Sequence, residues 1–222
     1  MKRRTFVKNA AALSSMAMFT SCATGKLGGK KVRTAHIGVG GMGAEDLKSI
    51  SSHPDVEVYA LCDVDADRLA QAKILHPKAK TFADYRVMFD QIGKNIDAVI
   101  VSTPDHTHAP ASMMAMNMDK AVYCQKPLTH HVSEARAMNK LAKEKNLITQ
   151  MGIQVHSFYD YKLATKLIQS GIIGKVNTVR AWSPKNWGYD GPIPTGSDEV
   201  PTNLDWNLWL GTAKQRPFKK GM

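Results

Sequence analysis

The feature that most constrains the fold of this chain is a regular alternation of apolar runs and helical stretches, which begins near Lys31. Runs with apolar residues on both faces predict strands at residues 32–39, 56–62, 97–101, 121–124 and 148–152. Stretches of helical period predict helices at residues 42–52, 65–75, 83–92, 108–118, 132–145 and 158–169. Such strands, separated by helices, are typical of a parallel sheet that is covered on both sides. The sequence therefore predicts a doubly wound α/β domain.

The first predicted strand runs directly into a glycine-rich loop at residues 38–43, GVGGMG, which opens a helix. In this G-x-G-x-x-G spacing the first glycine permits a tight turn, the second lets the backbone approach a diphosphate, and the third brings helix and strand close together. The helix N-terminus adds N–H groups and a positive dipole. The loop thus predicts a Rossmann-type domain that binds a dinucleotide, with Gly38, Gly40, Gly41, Met42 and Gly43 at the cofactor.

An acidic residue lies where such a domain binds the adenosine ribose. Asp63 closes the second predicted strand, twenty residues beyond Gly43. A carboxylate at this place accepts hydrogen bonds from the ribose hydroxyls and repels a 2′-phosphate, so NAD is predicted as the cofactor rather than NADP. Alternatively, Asp63 or Asp65 only caps the helix that begins at residue 65. Both roles stay open, one for each aspartate.

Residues 1–22 predict an export signal rather than a part of the fold. Arg3 and Arg4 precede a short apolar stretch at residues 10–19, which is too short to span a bilayer. The arginine pair resembles the twin-arginine export motif, which implies a periplasmic location. Residues 19–22 resemble an imperfect lipoprotein box, so lipid attachment at Cys22 with a membrane anchor, and export without a lipid, both stay open. Residues 1–30 are assigned to this signal and a glycine-containing tether.

The composition excludes several classes of protein. With 222 residues, of which 43% are hydrophobic and 22% charged, the chain can bury a core. Without the four cations at positions 2, 3, 4 and 8 of the signal, 26 Lys and Arg face 19 Asp and Glu, a balance of +7. Because these charges are dispersed, we predict no nucleic-acid partner. Cys62 and Cys124 are expected in the core, and neither they nor His106 and His108 have the spacing of a metal site.

The character of the sequence changes after Gly174. Residues 176–182 alternate as a strand does, a segment rich in Pro, Gly, Trp and Asn follows, and residues 205–210 predict a short aromatic helix. A single strand with several large aromatic residues has little to pack against. We therefore predict a dinucleotide-binding domain at residues 31–153. Residues 154–222 are predicted to hold a linking helix and the incomplete start of an α+β substrate domain that has been cut short.

Three strings accompany the glycine loop and Asp63, namely residues 102–108 (STPDHTH), 125–127 (QKP) and 151–154 (MGIQ). In this order the motifs resemble the Gfo/Idh/MocA family of NAD(P)-dependent oxidoreductases. The signal, residues 123–130 and residues 205–211 are similar to a secreted bacterial branch often tied to sugar breakdown. The resemblance implies hydride transfer between a sugar or cyclitol hydroxyl and NAD, and a homo-oligomer for the full-length protein.

The resemblance also implies roles for single residues. Lys126 matches the lysine of the family's Glu-Lys-Pro motif, beside the nicotinamide and the reacting hydroxyl, although Gln125 replaces the usual Glu. Hydride transfer needs a base or relay within about 3 Å of that hydroxyl, and desolvation in a cleft lowers the pKa of a lysine toward a useful range. His108 is expected to cap the helix after residue 104. The residues implied at the cofactor are Ser102, Thr103, Pro104, His108, Lys126 and Gln154.

The substrate side is less complete. His156 and Trp182 are implied near the substrate, where Trp182, Trp187 and Tyr189 would either stack on a sugar ring or pack between domains. The Asp-x-x-x-His segment that supplies further catalytic residues in the family has no match between Lys175 and Met222. Three functions therefore stay open: an oxidoreductase, a glycosidase that works by transient oxidation and elimination, and a truncated NAD-binding fragment without turnover.

Overall fold

The computed structural model describes residues 29–183, 191–192 and 194–221. The predicted signal with Cys22, and also Trp187 and Tyr189, lie outside the described residues. The described residues contain six strands: Val32–Ile37 (β1), Val56–Cys62 (β2), Lys80–Phe82 (β3), Ala98–Val101 (β4), Ala121–Gln125 (β5) and Thr149–Gly152 (β6). They form one sheet in the order β3-β2-β1-β4-β5-β6, and every pairing is parallel. The predicted doubly wound, Rossmann-type fold is confirmed.

Helices connect and follow the strands. They are Met42–Ser51 (α1), Ala66–Leu75 (α2), Tyr85–Ile92 (α3), Asp105–Asn117 (α4), Val132–Glu144 (α5), Tyr159–Gln169 (α6) and Trp206–Leu210 (α7). Two short 3-10 turns lie at Gly93–Asn95 and Gln154–Ser157. The carboxylate of Asp65 accepts from the first amides of α2, and that of Asp84 accepts from the first turn of α3. These local caps explain why both helices begin where they do.

The core lies on both faces of the sheet. On one face, Met88 and Phe89 of α3 and Met116 of α4 are buried against the strands. On the other face, Leu47 of α1 packs with Leu61 of β2 in a smaller cluster. Burial on both faces is the reason why the strands read as continuous apolar runs.

Both described cysteines are buried and free, as predicted. Burial raises the pKa of the Cys62 thiol far above its ordinary range, and burial raises the pKa of the Cys124 thiol to about 11. The two thiols are therefore protonated core side chains at neutral pH.

Two sequence predictions about strands were wrong. Residues 176–182 do not form a strand, and among the described residues no neighbouring strand pairs with them. A strand needs such a neighbour, because its amides and carbonyls are satisfied only across a ladder. Conversely, β3 was not predicted, although its three residues pair with Ala60, Leu61 and Cys62 of β2.

The two segments that follow β6 behave differently. Every residue from 154 to 183, which we call the arm, is exposed, and α6 within it has no buried residue. Residues 203–212, which we call the strap, contain α7 and return to the sheet, where Leu210 is 1% exposed. In the part of the chain that the structure describes, no helix has the length and apolar character needed to cross a membrane.

Candidate functional site

The site lies where the strand order reverses. β1 pairs with β2 on one side and with β4 on the other, so the connections after β1 and β4 leave the sheet in opposite directions. Ligands of open parallel sheets bind in the crevice that this reversal creates at the carboxyl ends of the strands. The predicted cofactor residues between 38 and 43, Asp63 and residues 102–104 all follow strands at this edge.

Two glycines of the loop, Gly38 and Gly43, leave no room for a side chain. Gly38 has a φ of +82°, and a Cβ there would lie 2.6 Å from the carbonyl oxygen of Ser102. A Cβ on Gly43 would collide with the carbonyl oxygen of Gly38. Gly41 stands at the N-cap of α1, which receives no side-chain cap hydrogen bond. The start of α1 carries the positive end of the helix dipole, which favours an anion.

The two aspartates after β2 have separate roles. The Asp63 carboxylate, with the residue 9% exposed, accepts from the amide of Val39 at 2.8 Å and from the amide of Asp65 at 3.0 Å. It thereby fixes the glycine loop against the end of β2. The Asp65 carboxylate accepts from the amides of Asp67 and Arg68 and so caps α2. The capping role belongs to Asp65, while Asp63 stands at the cleft.

A cavity of about 270 Å³ opens beside these residues. Its walls come from four loops at the carboxyl edge of the sheet and from the strap, and include Gly38, Asp63, Tyr85, Thr103, Leu208 and Trp209. The hydroxyl oxygen of Thr103 is buried and has no hydrogen-bond partner among the described residues. A buried polar atom of this kind is rare without a partner, so an orphaned hydroxyl in the wall fits a ligand rich in hydroxyl and phosphate groups.

Charged groups line the same cavity in pairs. Arg68 lies 3.4 Å from Asp65, and Arg86 lies 2.7 Å from Asp84. Partial burial opposes ionisation of Asp65, but hydrogen bonds, above all from Asn203 of the strap, hold its pKa below the ordinary value. The pKa of Asp84 is lowered chiefly by its hydrogen bond from Arg86. Both carboxylates are therefore charged at neutral pH.

A buried network that sequence reasoning missed joins α1 to the ends of β4 and β5. The carboxylate of Asp46, a residue that is 8% exposed, accepts from the hydroxyl of Ser102 at 2.7 Å and from the amide nitrogen of Gln125 at 3.0 and 3.1 Å. The amide oxygen of Gln125 accepts from the backbone amide of Lys126 at 3.0 Å. Gln125 thus donates to a carboxylate and accepts from a backbone N–H, which a glutamate could not do in ionised form. The glutamine in place of the family's glutamate was the signal for this network.

His108 is not a helix cap, which corrects the sequence prediction. α4 begins at Asp105, three residues earlier, so His108 lies inside the helix and is 1% exposed. Its Nδ1 lies 2.6 Å from the carbonyl oxygen of Pro127 and its Nε2 lies 2.7 Å from the carbonyl oxygen of Thr103. His108 therefore ties the loop after β4 to the turn that carries Lys126.

The residues predicted at the nicotinamide and substrate end are placed more loosely. Gln154 and Met42 are brought together, with 3.3 Å between the Gln154 amide nitrogen and the Met42 sulfur. Lys126 is exposed, so the described residues do not supply the desolvation expected around it. The ring of His156 stacks on Tyr161 at 5.2 Å, and Trp182 is 83% exposed and does not line the cavity.

The fold and this cleft define a dinucleotide-binding Rossmann domain. Residues 32–153 match the Gfo/Idh/MocA oxidoreductase family, whose description is an oxidoreductase family with an NAD-binding Rossmann fold. The chain belongs to this family, so the predicted family and NAD as the cofactor of its fold are confirmed. Within the described residues, no group of three or more His, Cys, Asp or Glu side chains is arranged to hold a metal ion.

Known relatives match more than half of the chain. Myo-inositol 2-dehydrogenase of Thermotoga maritima is 29% identical over 155 residues, which cover 68% of this chain and 45% of that protein. A glycosyl hydrolase family 109 protein of Stenotrophomonas maltophilia is 35% identical over 136 residues, 56% of this chain and 29% of that protein. The crystal structure of myo-inositol 2-dehydrogenase from Lactobacillus plantarum matches with a TM-score of 0.62 and 32% identity, over 66% of this chain and 43% of that one. The chain spans less than half the length of these relatives.

Proposed function

We propose that this chain binds NAD in the cleft at the carboxyl edge of the sheet and that the full-length protein oxidises a hydroxyl of a cyclitol or sugar. The observation that carries the proposal is that the glycine loop, Asp63 and the unpaired hydroxyl of Thr103 line one cavity. Lys126 follows β5, which lies two strands from β1 in the sheet. The myo-inositol 2-dehydrogenases among the relatives favour a cyclitol as substrate class.

The order of these groups along the cleft supports one orientation of the cofactor. The amides at the start of α1 would hold the diphosphate, and Asp63 would accept from the hydroxyls of the adenosine ribose. Thr103 stands between these two points and the end of β5, so its hydroxyl would bond to the cofactor's sugar or phosphate groups. This direction leaves the nicotinamide half on the β5 side, near Lys126 and Gln154.

The chemistry divides between cofactor and protein. When bound, NAD supplies the acceptor for the hydride. Lys126 would stand at the substrate hydroxyl and hold or accept its proton, while His108 and Gln125 fix the backbone on both sides of Lys126. Because Lys126 is exposed in the described residues, water would have to be excluded from it by further protein or by the substrate itself.

The carboxylates around the adenosine ribose favour NAD over NADP. Asp63 faces the cleft, and the two arginines in the cavity wall are each already paired with an aspartate, Arg68 with Asp65 and Arg86 with Asp84. A 2′-phosphate would meet the Asp63 charge without an unpaired cation to balance it.

Titration calorimetry tests this function directly. We expect the 222-residue chain to bind NAD with one site and to bind NADP at least about tenfold more weakly, a difference of about 1.4 kcal/mol. The full-length protein should then form NADH with a cyclitol or sugar from a panel of both classes. A chain that is folded by circular dichroism and releases no heat with either nucleotide would contradict the proposal.

A second candidate function is NAD-dependent glycoside cleavage. It is favoured by the 35% identity to the glycosyl hydrolase family 109 protein. Such an enzyme would oxidise its substrate transiently, eliminate the aglycone and reduce the intermediate again, so that glycosides are cleaved without net NADH. Release of nitrophenol from a nitrophenyl glycoside panel, at constant absorbance of NADH, distinguishes this function from net oxidation.

We further propose export through the twin-arginine signal to the periplasm, with or without a lipid on Cys22, and a homo-oligomer for the full-length protein. The support is the sequence of residues 1–22 alone for the first two points. Mass spectrometry of the mature protein reads the lipid on Cys22, and a change of Arg3 and Arg4 to Lys should block export. Light scattering on the full-length protein measures its oligomeric state.

A further inference from the structure

The strap is held to the sheet by backbone hydrogen bonds rather than by apolar contact alone. The amide of Ala66 donates to the carbonyl oxygen of Asn203 at 2.8 Å, and the amide of Asp205 donates to the carbonyl oxygen of Val64 at 3.0 Å. The side-chain amide of Asn203 also donates to Asp65 at 3.0 Å. These bonds attach the strap directly to the loop after β2, which carries the ribose-binding carboxylate of Asp63.

A second attachment fixes the other end of the strap to α4. Pro110 lacks an N–H, so the carbonyl oxygen of His106 has no helical partner four residues later. The hydroxyl of Thr212 approaches this carbonyl oxygen at 3.3 Å and donates to it. The ring nitrogen Nε2 of His106 lies 2.8 Å from the carbonyl oxygen of Trp209, and the two rings are 5.2 Å apart. The strap therefore spans from the β2 side of the cleft to the β4 side.

Between its two attachments the strap forms one wall of the cavity. Leu204, Leu208 and Trp209 line it from the strap, opposite the loops that carry Asp63 and Thr103. None of the residues at the ends of β5 and β6 lines this cavity. Because the diphosphate and ribose contacts lie at the β1 and β2 ends, this is the cavity of the adenosine half.

We propose that the strap is a constituent of the NAD site and that Leu204, Leu208 and Trp209 bind the adenine ring against the loops after β2 and β4. The inference rests on the proposed binding of NAD and adds the group that recognises the base. An adenine ring is flat and largely apolar on its faces, which matches two leucines and an indole. On this proposal the strap serves the cofactor.

Calorimetry on the full 222-residue chain tests the role of the strap, with NAD, AMP and nicotinamide mononucleotide as probes. Leu208→Trp places a large side chain in the cavity. The matched control is Asn207→Trp, because Asn207 is the exposed neighbour on the same helix and does not line the cavity. Leu208→Ala is a milder second variant, which keeps the test valid if Leu208→Trp fails to fold.

We expect Leu208→Trp to weaken NAD and AMP by about tenfold or more, and Leu208→Ala to weaken both by about threefold. Asn207→Trp should bind both like the wild-type chain, and nicotinamide mononucleotide should bind all variants alike. If folded Leu208 variants bind AMP as tightly as wild type, or lose both mononucleotides equally, the inference is overturned while binding of NAD by the wild type stands. Failure of the wild type to bind NAD would instead overturn the proposed function.

Discussion

The arm and the strap come from the same stretch of chain after β6, yet only the strap packs on the sheet. The arm has an amphipathic helix, α6, whose apolar side chains such as Leu167 and Ile168 remain exposed. The strap has a helix of only five residues, but its Leu210 is buried, one end of the strap is hydrogen-bonded to the chain after β2, and the other end to α4. Length and helical pattern therefore do not decide which segment belongs to the cofactor domain. Long-range hydrogen bonds decide it.

The two ends of the cleft also differ in how far they are enclosed. On the side proposed for the adenosine half, loops and strap line a cavity with polar and apolar groups. On the side proposed for the nicotinamide half, Lys126, Gln154 and His156 are all exposed. We infer that the described residues contain a nearly complete cofactor site beside an open reaction site. Substitutions in the cofactor site should therefore lower the free energy of unfolding or weaken NAD binding. Substitutions in the open reaction site should affect turnover alone.

The largest expected effect compares two glycines with the same φ of +82°, Gly38 in the cofactor loop and Gly171 in the arm. Gly38→Ala should lower the free energy of unfolding by about 3 kcal/mol and abolish NAD binding, because its Cβ meets the Ser102 carbonyl. Gly171→Ala has nothing within 4 Å of the added Cβ and should cost only about 1 kcal/mol. Urea unfolding measures the free energy of unfolding of both variants. Equal losses in the two variants would show that crowding at Gly38 is unimportant.

The second prediction concerns the buried network at Asp46. Gln125→Glu places a second carboxylate at hydrogen-bond distance from Asp46 and should cost about 2 to 3 kcal/mol of unfolding free energy. Adding Asp46→Asn restores one donor opposite one carboxylate, so the double variant should recover more than half of the loss. A double-mutant cycle in urea gives the coupling. Additive costs would contradict a direct interaction between these two side chains.

The third prediction is a pH dependence that belongs to His36 of β1. This histidine is fully buried, its Nε2 lies 3.1 Å from the hydroxyl oxygen of Thr34, and its Nδ1 has no partner among the described residues. Burial, with a smaller contribution from the charge of His76, lowers the pKa of His36 to about 3. Because the unfolded chain takes up the proton near pH 6.5, this contribution to stability is complete above pH 6.5 and is lost as the pH falls toward 3.

Between pH 6.5 and 5, His36 should account for a loss of up to about 2 kcal/mol, at about 1.4 kcal/mol per pH unit. The measurement is the difference in unfolding free energy between the wild type and His36→Gln across this range. His156→Gln in the exposed arm is the matched control for replacing a histidine by glutamine. An unchanged difference for His36→Gln would show that His36 is not held neutral in the fold.

The smallest effects on stability are expected at the open end of the cleft. Lys126→Met and Trp182→Ala should each change the unfolding free energy by less than about 0.5 kcal/mol, because both side chains are exposed. Lys126→Met should leave NAD binding within about threefold of wild type, yet it should abolish turnover in the full-length protein. Retained turnover in Lys126→Met would show that the reaction does not require Lys126.

Local chemistry explains what could be predicted from the sequence. The glycine loop and Asp63 were predicted because a tight turn against a diphosphate admits only particular residue types at fixed spacing. The buried thiols and the five helices of the sheet domain were likewise predicted from the period of the apolar residues. α4 begins three residues before its predicted start at residue 108, and the strap supplies a partner for the carbonyl oxygen of His106 that Pro110 leaves free.

What could not be predicted depends on residues far apart in the chain. The bond between Asn203 and Asp65 spans 138 positions, and the bond between Gln125 and Asp46 spans 79. No local period or motif encodes either contact. The strand predicted at residues 176–182 was wrong for a related reason. Their alternation is typical of a strand, but the described residues provide no strand beside them.

Hydrogen exchange with and without NAD tests most directly whether the cofactor site consists of the glycine loop and the strap. We predict that NAD slows exchange of the amides in residues 38–43 and in residues 203–212, and leaves those of the arm, residues 154–183, unchanged. Slower exchange in the arm with none in the strap would contradict the account, as would a folded chain in which NAD alters neither the glycine loop nor the strap.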